Sequence, residues 1–435
     1  MNLRNTLNAC GVLAAVLFLT QRSQAADLAE IYKIASERDS VIQATQAQYD
    51  AAIEALPLAR SALLPNLSLV ADKAINETNN DSSGRQDSDS FGASLTQNIY
   101  NPTAYHSVKK AKLNVVQAKA TLQEAKQNLM FRTAQAYFNI LTAEEAFRAA
   151  RSSREAISRQ TEQAEKRFEV GLSAVTDVKE AQAQLDLAVA REVVAENQLD
   201  LAKEALRVII SQEVPELDIL KADATLSKPM PAGIDEWIGL AERNSPRLQI
   251  ARYDYELAQK DVIIERSGRK PTIALNGAYT NTNSESIRTP ELESGQIRLQ
   301  LTYPLYTGGR TSALIRQARA RALQASHNHE TVRRAVEQET RDAYLSVLAD
   351  VSQATALRQA LSSTEVAREA TEAGFNAGTR TAVEVLVSLR DTFNAYADYA
   401  AARHQYVVRS LELRLAAGIL AEKHIDAVNR SLTAR

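Results

Sequence analysis

The chain has 435 residues, with only 14 Gly and 10 Pro, roughly one Ala in every six positions, and 45% hydrophobic but 5% aromatic content. Ala is the best helix former and Gly and Pro the worst, so this mix favours long helices; it argues against an α/β enzyme with its many turns, and the hydrophobic content argues against a disordered chain. A formal charge of −2 and a pI near 6.3 give no support to nucleic-acid binding.

The N-terminus reads as an export signal. Arg4 supplies a positive start, Gly11 to Thr20 an apolar stretch too short to span a bilayer, and Ser23-Gln-Ala25 a small-x-small cleavage site before Ala26. Cys10 is the only cysteine and precedes the apolar core, whereas a lipobox follows it, so lipidation is not expected and the mature chain has no thiol. Removing residues 1–25 takes away Arg4 and Arg22 and no acid, leaving 49 basic against 53 acidic side chains, a charge of −4.

Each half of the mature chain then reads as a short helix, two strands and a very long helical hairpin. In the first half, strand-like Asn66 to Thr78 and Phe91 to Tyr100 flank a polar loop, Asn79 to Ser90. Thr103 to Val170 has neither Gly nor Pro, Gly171-Leu172-Ser173 marks a reversal, and the return arm runs from Leu172 to Val214. In the second half, Thr272 to Thr282 and Gly295 to Leu305 are the strands. Arg310 to Ala373 is the outgoing arm, Gly378-Thr379 the reversal, and Thr379 to Ala417 the return. Each outgoing arm could reach on the order of 100 Å at 1.5 Å per residue. Leu122, Ala125, Leu129, Ala136, Ile140, Ala143 and Phe147 fall at spacings of three and four. So do Val178, Leu185, Ala188, Ala195, Leu199, Ala202, Leu206 and Ile209. Both sets predict a coiled-coil-like seam.

The halves are a duplication. Pro65-Asn-Leu-Ser-Leu69 matches Pro271-Thr-Ile-Ala-Leu275, and Asn98-Ile-Tyr100 matches Pro304-Leu-Tyr306, both at an offset of 206. Phe168-Glu-Val-Gly171 matches Phe375-Asn-Ala-Gly378, and Asp177-Val178 matches Glu384-Val385, both at 207. The predicted organisation is a signal peptide over 1–25, a first repeat over 26–225, a second over 226–425 and a C-terminal tail over 426–435.

After the signal no segment is apolar enough to cross a membrane as a helix, so membrane entry requires β-strands. Four strands cannot close a barrel, since the smallest membrane barrels have about eight. A membrane role therefore needs several chains to pool strands, and three chains would supply twelve. The competing reading is two soluble hairpins packed on the helices. Little in the chain suggests catalysis or a cofactor. His327 and His329 point about 200° apart on a helix and cannot chelate together, and Glu144-Glu145 lies on a charged helical face. No nucleophile–base arrangement or phosphate loop is present, so neither an enzyme nor a metal or cofactor site is expected.

Several stretches together resemble the TolC family of outer-membrane channel proteins over essentially the whole mature chain. They are Leu63-Leu-Pro-Asn-Leu67, Ala136-Tyr-Phe-Asn139, Arg167-Phe-Glu-Val-Gly-Leu-Ser-Ala-Val-Thr-Asp-Val178, Tyr303-Pro-Leu-Tyr-Thr-Gly-Gly309 and Glu372-Ala-Gly-Phe-Asn-Ala-Gly-Thr-Arg-Thr-Ala-Val-Glu-Val-Leu386. The resemblance implies a mainly α protein with β: a homotrimer with a 12-stranded barrel in outer-membrane lipid, continued by a long α-helical tunnel through the periplasm. It implies a passive duct for drug efflux or type I protein secretion, docked to a periplasmic adaptor and an inner-membrane pump of RND, ABC or MFS type. A secreted coiled-coil scaffold or adhesin without a pore is the alternative. An adaptor protein is a third reading, disfavoured because an adaptor would carry one hairpin, not a tandem repeat with strands between.

The resemblance also assigns residues at the tips, around Gly171, Leu172, Ser173, Gly378 and Thr379. There Thr176 and Asp177 would face Arg380, in links between neighbouring hairpins that close the tunnel. Phe375 stands where the family often has Tyr, so that hydroxyl is missing. Of two acidic positions that can ring the entrance, this chain keeps Glu384 and has Val387 at the other, giving three carboxylates per trimer instead of six.

Overall fold

A computed structural model of the chain describes residues 26–77, 85–171, 173–284 and 291–434. The export signal with Cys10, the loop residues 79–84 and Leu172 at the first tip lie outside the described residues. In order, the elements are α1 (Leu28–Arg38), α2 (Ser40–Ser61), β1 (Asn66–Glu77), β2 (Arg85–Tyr100), α3 (Pro102–Glu169), α4 (Val175–Ile210) and β3 (Ile219–Leu220). The second half repeats them as α5 (Ile234–Asn244), α6 (Pro246–Ser267), β4 (Thr272–Ser284), β5 (Glu291–Thr302), α7 (Arg310–Asn376) and α8 (Ala382–Ala416), followed by α9 (Glu422–Asn429) and β6 (Leu432–Thr433).

Each half opens with two helices, not the single one predicted. Asp39 makes the first break: its N–H closes α1 on the Ala35 carbonyl at 2.8 Å, and its carboxylate accepts the Ile42 N–H at 2.9 Å. Arg132 pairs with this buried carboxylate at 3.1 Å. In the second half Ser245 closes α5 on Ala241, and Pro246 opens α6, where its missing N–H costs nothing.

The chain divides into two compact units: Ala44–Glu124 with Pro246–Ala335, and the remainder. Each repeat contributes to both, so the repeats are halves of the chain without being separate bodies. The segment predicted as a tail is structured instead. Its residues complete α9 and form β6, which pairs antiparallel with β3 through Ile219–Thr433 and Leu220–Leu432. In the same unit Asn429 accepts the Leu28 N–H at 3.0 Å, and Ala26 bonds Glu216 and Asp218 through its backbone, tying the first described residues to the C-terminal helix and to the segment before β3.

In the other unit four antiparallel strands form one sheet in the order β1-β2-β4-β5. Because side chains alternate and paired residues share a face, the register sorts them. Leu67, Leu69, Ala93, Leu95, Leu275, Tyr279, Ile297 and Leu299 fall on one face; Ser68, Ser94, Thr96, Asn276, Thr280, Gln296 and Arg298 fall on the other. In the single chain the apolar face is bare, with Leu69 69% and Ile297 85% exposed. β1 and β5 are open edges. The strands run 12, 16, 13 and 12 residues. Residues 85–90, predicted as loop from their Ser and Asp content, belong to β2, because pairing with β1 and β4 outweighs local composition. β5 stops at Thr302, short of the predicted Leu305, and Pro304 follows.

The long arms form as unbroken helices of 68 and 67 residues, α7 running on through Gly374. Their returns, α4 and α8, have 36 and 35 residues. The seam is realised: Leu122, Leu129, Ala136 and Ile140 are buried on α3, as are Ala188, Ala195, Leu199 and Leu206 on α4. Predicted members such as Ala125, Phe147 and Val178 are only half-buried. Among the described residues, no helix is long and apolar enough to cross a membrane.

Candidate functional site

Two helical hairpins reverse direction in the same unit, and both reversals use a glycine in the left-handed region. At the second tip Gly378 has φ +79°, its N–H meets the Phe375 carbonyl at 3.0 Å, and the Thr379 N–H meets the Gly374 carbonyl at 2.8 Å. This is a Schellman ending, which satisfies carbonyls the helix leaves unpaired. At the first tip Gly171 has φ +75° and donates to the Phe168 carbonyl at 2.9 Å. Ser173 Oγ donates to the Ala164 carbonyl at 3.3 Å, fastening the turn to α3.

The return helices begin differently. α8 has a full capping box: Glu384 N–H donates to Thr381 Oγ1 at 3.3 Å, and Thr381 N–H donates to Glu384 Oε2 at 2.7 Å. Arg380 Nη1 reaches the other carboxylate oxygen, Oε1, at 2.7 Å. The Thr381 N–H first, then Arg380 and the Thr381 hydroxyl, hold the Glu384 carboxyl below its ordinary pKa. At α4, Ala174 offers no side-chain acceptor, and Asp177 alone caps, taking the Ala174 N–H at 3.4 Å. Thr176 is exposed and Asp177 half-buried.

Within one chain, then, Arg380 pairs with Glu384 and not with Asp177. The link of Arg380 to Thr176 and Asp177 implied by the resemblance is not one the single chain makes, and Glu384, to which the resemblance assigns the entrance, already has a cation. Phe375 is half-buried against the cluster of Ala156, Val385 and Leu389, on which Phe393 also packs. The Arg167 guanidinium lies 4.8 Å from its ring centroid, so a cation–π contact joins the first hairpin to the second where no hydroxyl is available. Val387 is half-buried.

Two residues that sequence reasoning passed over shape this site. Arg167 stands in the quoted tip motif but carries no signal of its target ring. Gly374 sits within α7, where a Cβ would come 2.7 Å from Arg380 Cγ, so its missing side chain is what lets the Arg380 stem lie across the helix end. The capping box was legible, since Thr381 and Glu384 stand at the required spacing.

The hairpins are fastened together behind the tips. Ile157, Ala164, Ala181, Ala188 and Leu386 form one buried cluster from both halves. Tyr396 donates to Glu145 of the other hairpin at 3.0 Å, while Thr161 Oγ1 on the Ala181 carbonyl at 3.3 Å and Thr392 Oγ1 on the Thr364 carbonyl at 3.2 Å each tie the two arms of one hairpin. The packed bundle thus ends in exposed, charge-bearing turns, an arrangement suited to switchable polar contacts.

A family model for outer membrane efflux proteins matches residues 31–212 and again 237–419, the two halves of the duplication. The chain is 36% identical over 427 residues to the Outer membrane protein TolC of Vibrio cholerae, covering 97% of each. It is 25% identical over 428 residues to the Alkaline protease secretion protein AprF of Pseudomonas aeruginosa, covering 95% of this chain and 89% of that one. The Campylobacter jejuni CmeC outer membrane channel shares the fold, with a TM-score of 0.79 at 15% identity over 93% of this chain and 90% of that one. The chain belongs to the TolC family of outer membrane efflux proteins, exit ducts of the outer membrane.

Proposed function

We propose that three copies pool their sheets into a twelve-stranded barrel and their hairpins into a periplasmic tunnel. The tunnel is closed at its tips until an adaptor and an inner-membrane pump open it. The observation that carries this is the sheet: one apolar face, one polar face and two open edges at β1 and β5. An edge exposed to lipid leaves backbone groups unpaired, and only closure with further copies removes it. The signal peptide, cleaved before Ala26, supplies the export this requires. The chain catalyses nothing, so energy comes from the pump; the family's and relatives' names support both efflux and protein secretion as uses, and drugs are the proposed cargo of the former.

At the entrance, Arg380 of one hairpin reaches Thr176 and Asp177 of a neighbouring chain in the closed state, and Glu384 competes for it from within its own chain. Exposed pairs of this kind are worth only about 0.2–1 kcal/mol each, weak enough for a docking partner to exchange one for the other. Gly171, Leu172, Ser173, Gly378 and Thr379 present the surface the adaptor meets.

The mature chain has no native cysteine, so engineered pairs read the assembly cleanly. One cysteine on β1 combined with a panel along β5 should give covalent dimers and trimers in cells. A panel that yields only monomers would overturn the pooled barrel and favour the scaffold reading.

A further inference from the structure

Where β2 passes into α3, a cavity of about 620 Å³ is lined by Leu63, Asn98, Tyr100, Tyr105, His106 and Lys270, among others. It adjoins the apolar face of the sheet for a specific reason. The register shifts between Asn98 and Tyr100, so Tyr100 pairs with Ile273, which in turn pairs with Leu301 on the face that holds Leu275 and Leu299. Without that extra residue Tyr100 would pair with Thr272 and turn to the polar face. Tyr303 and Tyr306, both exposed, follow β5 at the same end of the sheet.

The polar side of the cavity is cationic. His106 and Lys270 line it, and desolvation, then the charges of Lys109, Lys270 and Lys260, lower the His106 pKa. The Lys109 ammonium lies 4.6 Å from the Tyr105 ring centroid. Adjacent Lys110 has its own carboxylate, Asp261, at 2.6 Å. Lys109, Lys260 and Lys270 form no ion pair among the described residues. Three uncompensated cations beside tyrosines, at the border of an apolar face, fit an anionic headgroup whose tails continue along that face.

We propose that this strand–helix junction binds an anionic phospholipid of the periplasmic leaflet. Lys109, Lys260 and Lys270 receive the headgroup phosphate, and the acyl chains run past Tyr100 along the apolar face. The inference rests on the outer-membrane location. It names a phospholipid because the junction lies at the helix-bearing, periplasmic end of the strands. It names an anionic one because a zwitterionic headgroup brings its own ammonium to a place that already holds three.

The test is lipid retention by the purified full-length protein. Phosphatidylglycerol and phosphatidylcholine of equal chain length are titrated in detergent and counted by native mass spectrometry. Parallel samples contain soluble glycerol phosphate. Wild type should retain phosphatidylglycerol roughly tenfold or more over phosphatidylcholine, because cationic side chains near a lipid surface favour anionic headgroups. The triple variant Lys109→Gln, Lys260→Gln, Lys270→Gln should lose this preference. Lys33→Gln, Lys203→Gln, Lys228→Gln, with the same loss of charge elsewhere, should keep it. Equal retention of both lipids by wild type, or equal loss in both triple variants, overturns the site. Full displacement of the lipid by glycerol phosphate overturns the lipid as its occupant and leaves a soluble phosphate ester instead. Membrane insertion is scored separately by conductance, so a protein that conducts but shows no preference refutes this inference alone.

Discussion

Arg380 has two candidate carboxylates and one guanidinium, and the local geometry gives it to Glu384. This changes what substitutions at the entrance should do. Glu384→Gln leaves three arginines per trimer without their acids, so the pore's preference should shift towards anions, read as a reversal-potential change under a salt gradient. An unchanged reversal potential would show that Glu384 does not face the conduction path. The Glu384 carboxyl is held below its ordinary pKa, so its capping contribution is present above the unfolded carboxylate value near 4.3 and is lost as pH falls through its lowered folded value. Gly374→Ala places a Cβ against the Arg380 stem and should raise resting conductance. Gly378→Ala meets no atom within 4 Å but forces Ala to φ +79°, and should cost about 1 kcal/mol in thermal unfolding through the backbone alone. The identities of Arg380, Glu384 and Phe375 were legible from the tip motifs. The partner of Arg380 and the stacking of Arg167 were not, because both depend on how two turns distant in sequence are brought together.

At the scale of elements, the absence of Gly and Pro from the arms was sufficient to place four long helices, and strand-like segments around polar loops sufficed to place four strands. What failed was local. The α1–α2 and α5–α6 breaks rest on Asp39 and on Ser245-Pro246, residues equally at home at a helix start, and β2 extends into a Ser- and Asp-rich stretch whose pairing only the sheet defines. One buried element contact gives a pH test. His404 on α8 bonds Thr142 of α3 at 3.0 Å and lies against Phe138. Burial, and then the charge of Arg403, lower its pKa to about 4. Because the folded value lies below the unfolded one near 6.5, stability falls as pH drops from about 6.5 towards about 4. Between pH 7 and pH 5 this should amount to about 2 kcal/mol per chain at 1.36 kcal/mol per pKa unit. His404→Phe should flatten that part of the stability–pH curve, measured by thermal unfolding at both pH values; an unaltered curve would place the acid sensitivity elsewhere.

For the whole molecule, the number of strands decides most. Four strands with two open edges are incomplete in a membrane, and the strand count was legible in the sequence. In the proposed assembly the apolar and polar faces of the sheet sort lipid from lumen, and the exposed turns of the hairpins form the entrance, opened by exchanging weak polar links. The most direct measurement is single-channel recording of the purified wild type and of Arg380→Ser in planar bilayers. The expected result is a small resting conductance in wild type and a larger, more cation-selective one in the variant, whose Glu384 carboxylates are left uncompensated. Folded protein that inserts without conducting, or a variant with wild-type conductance and selectivity, would contradict a duct gated at its tips by Arg380.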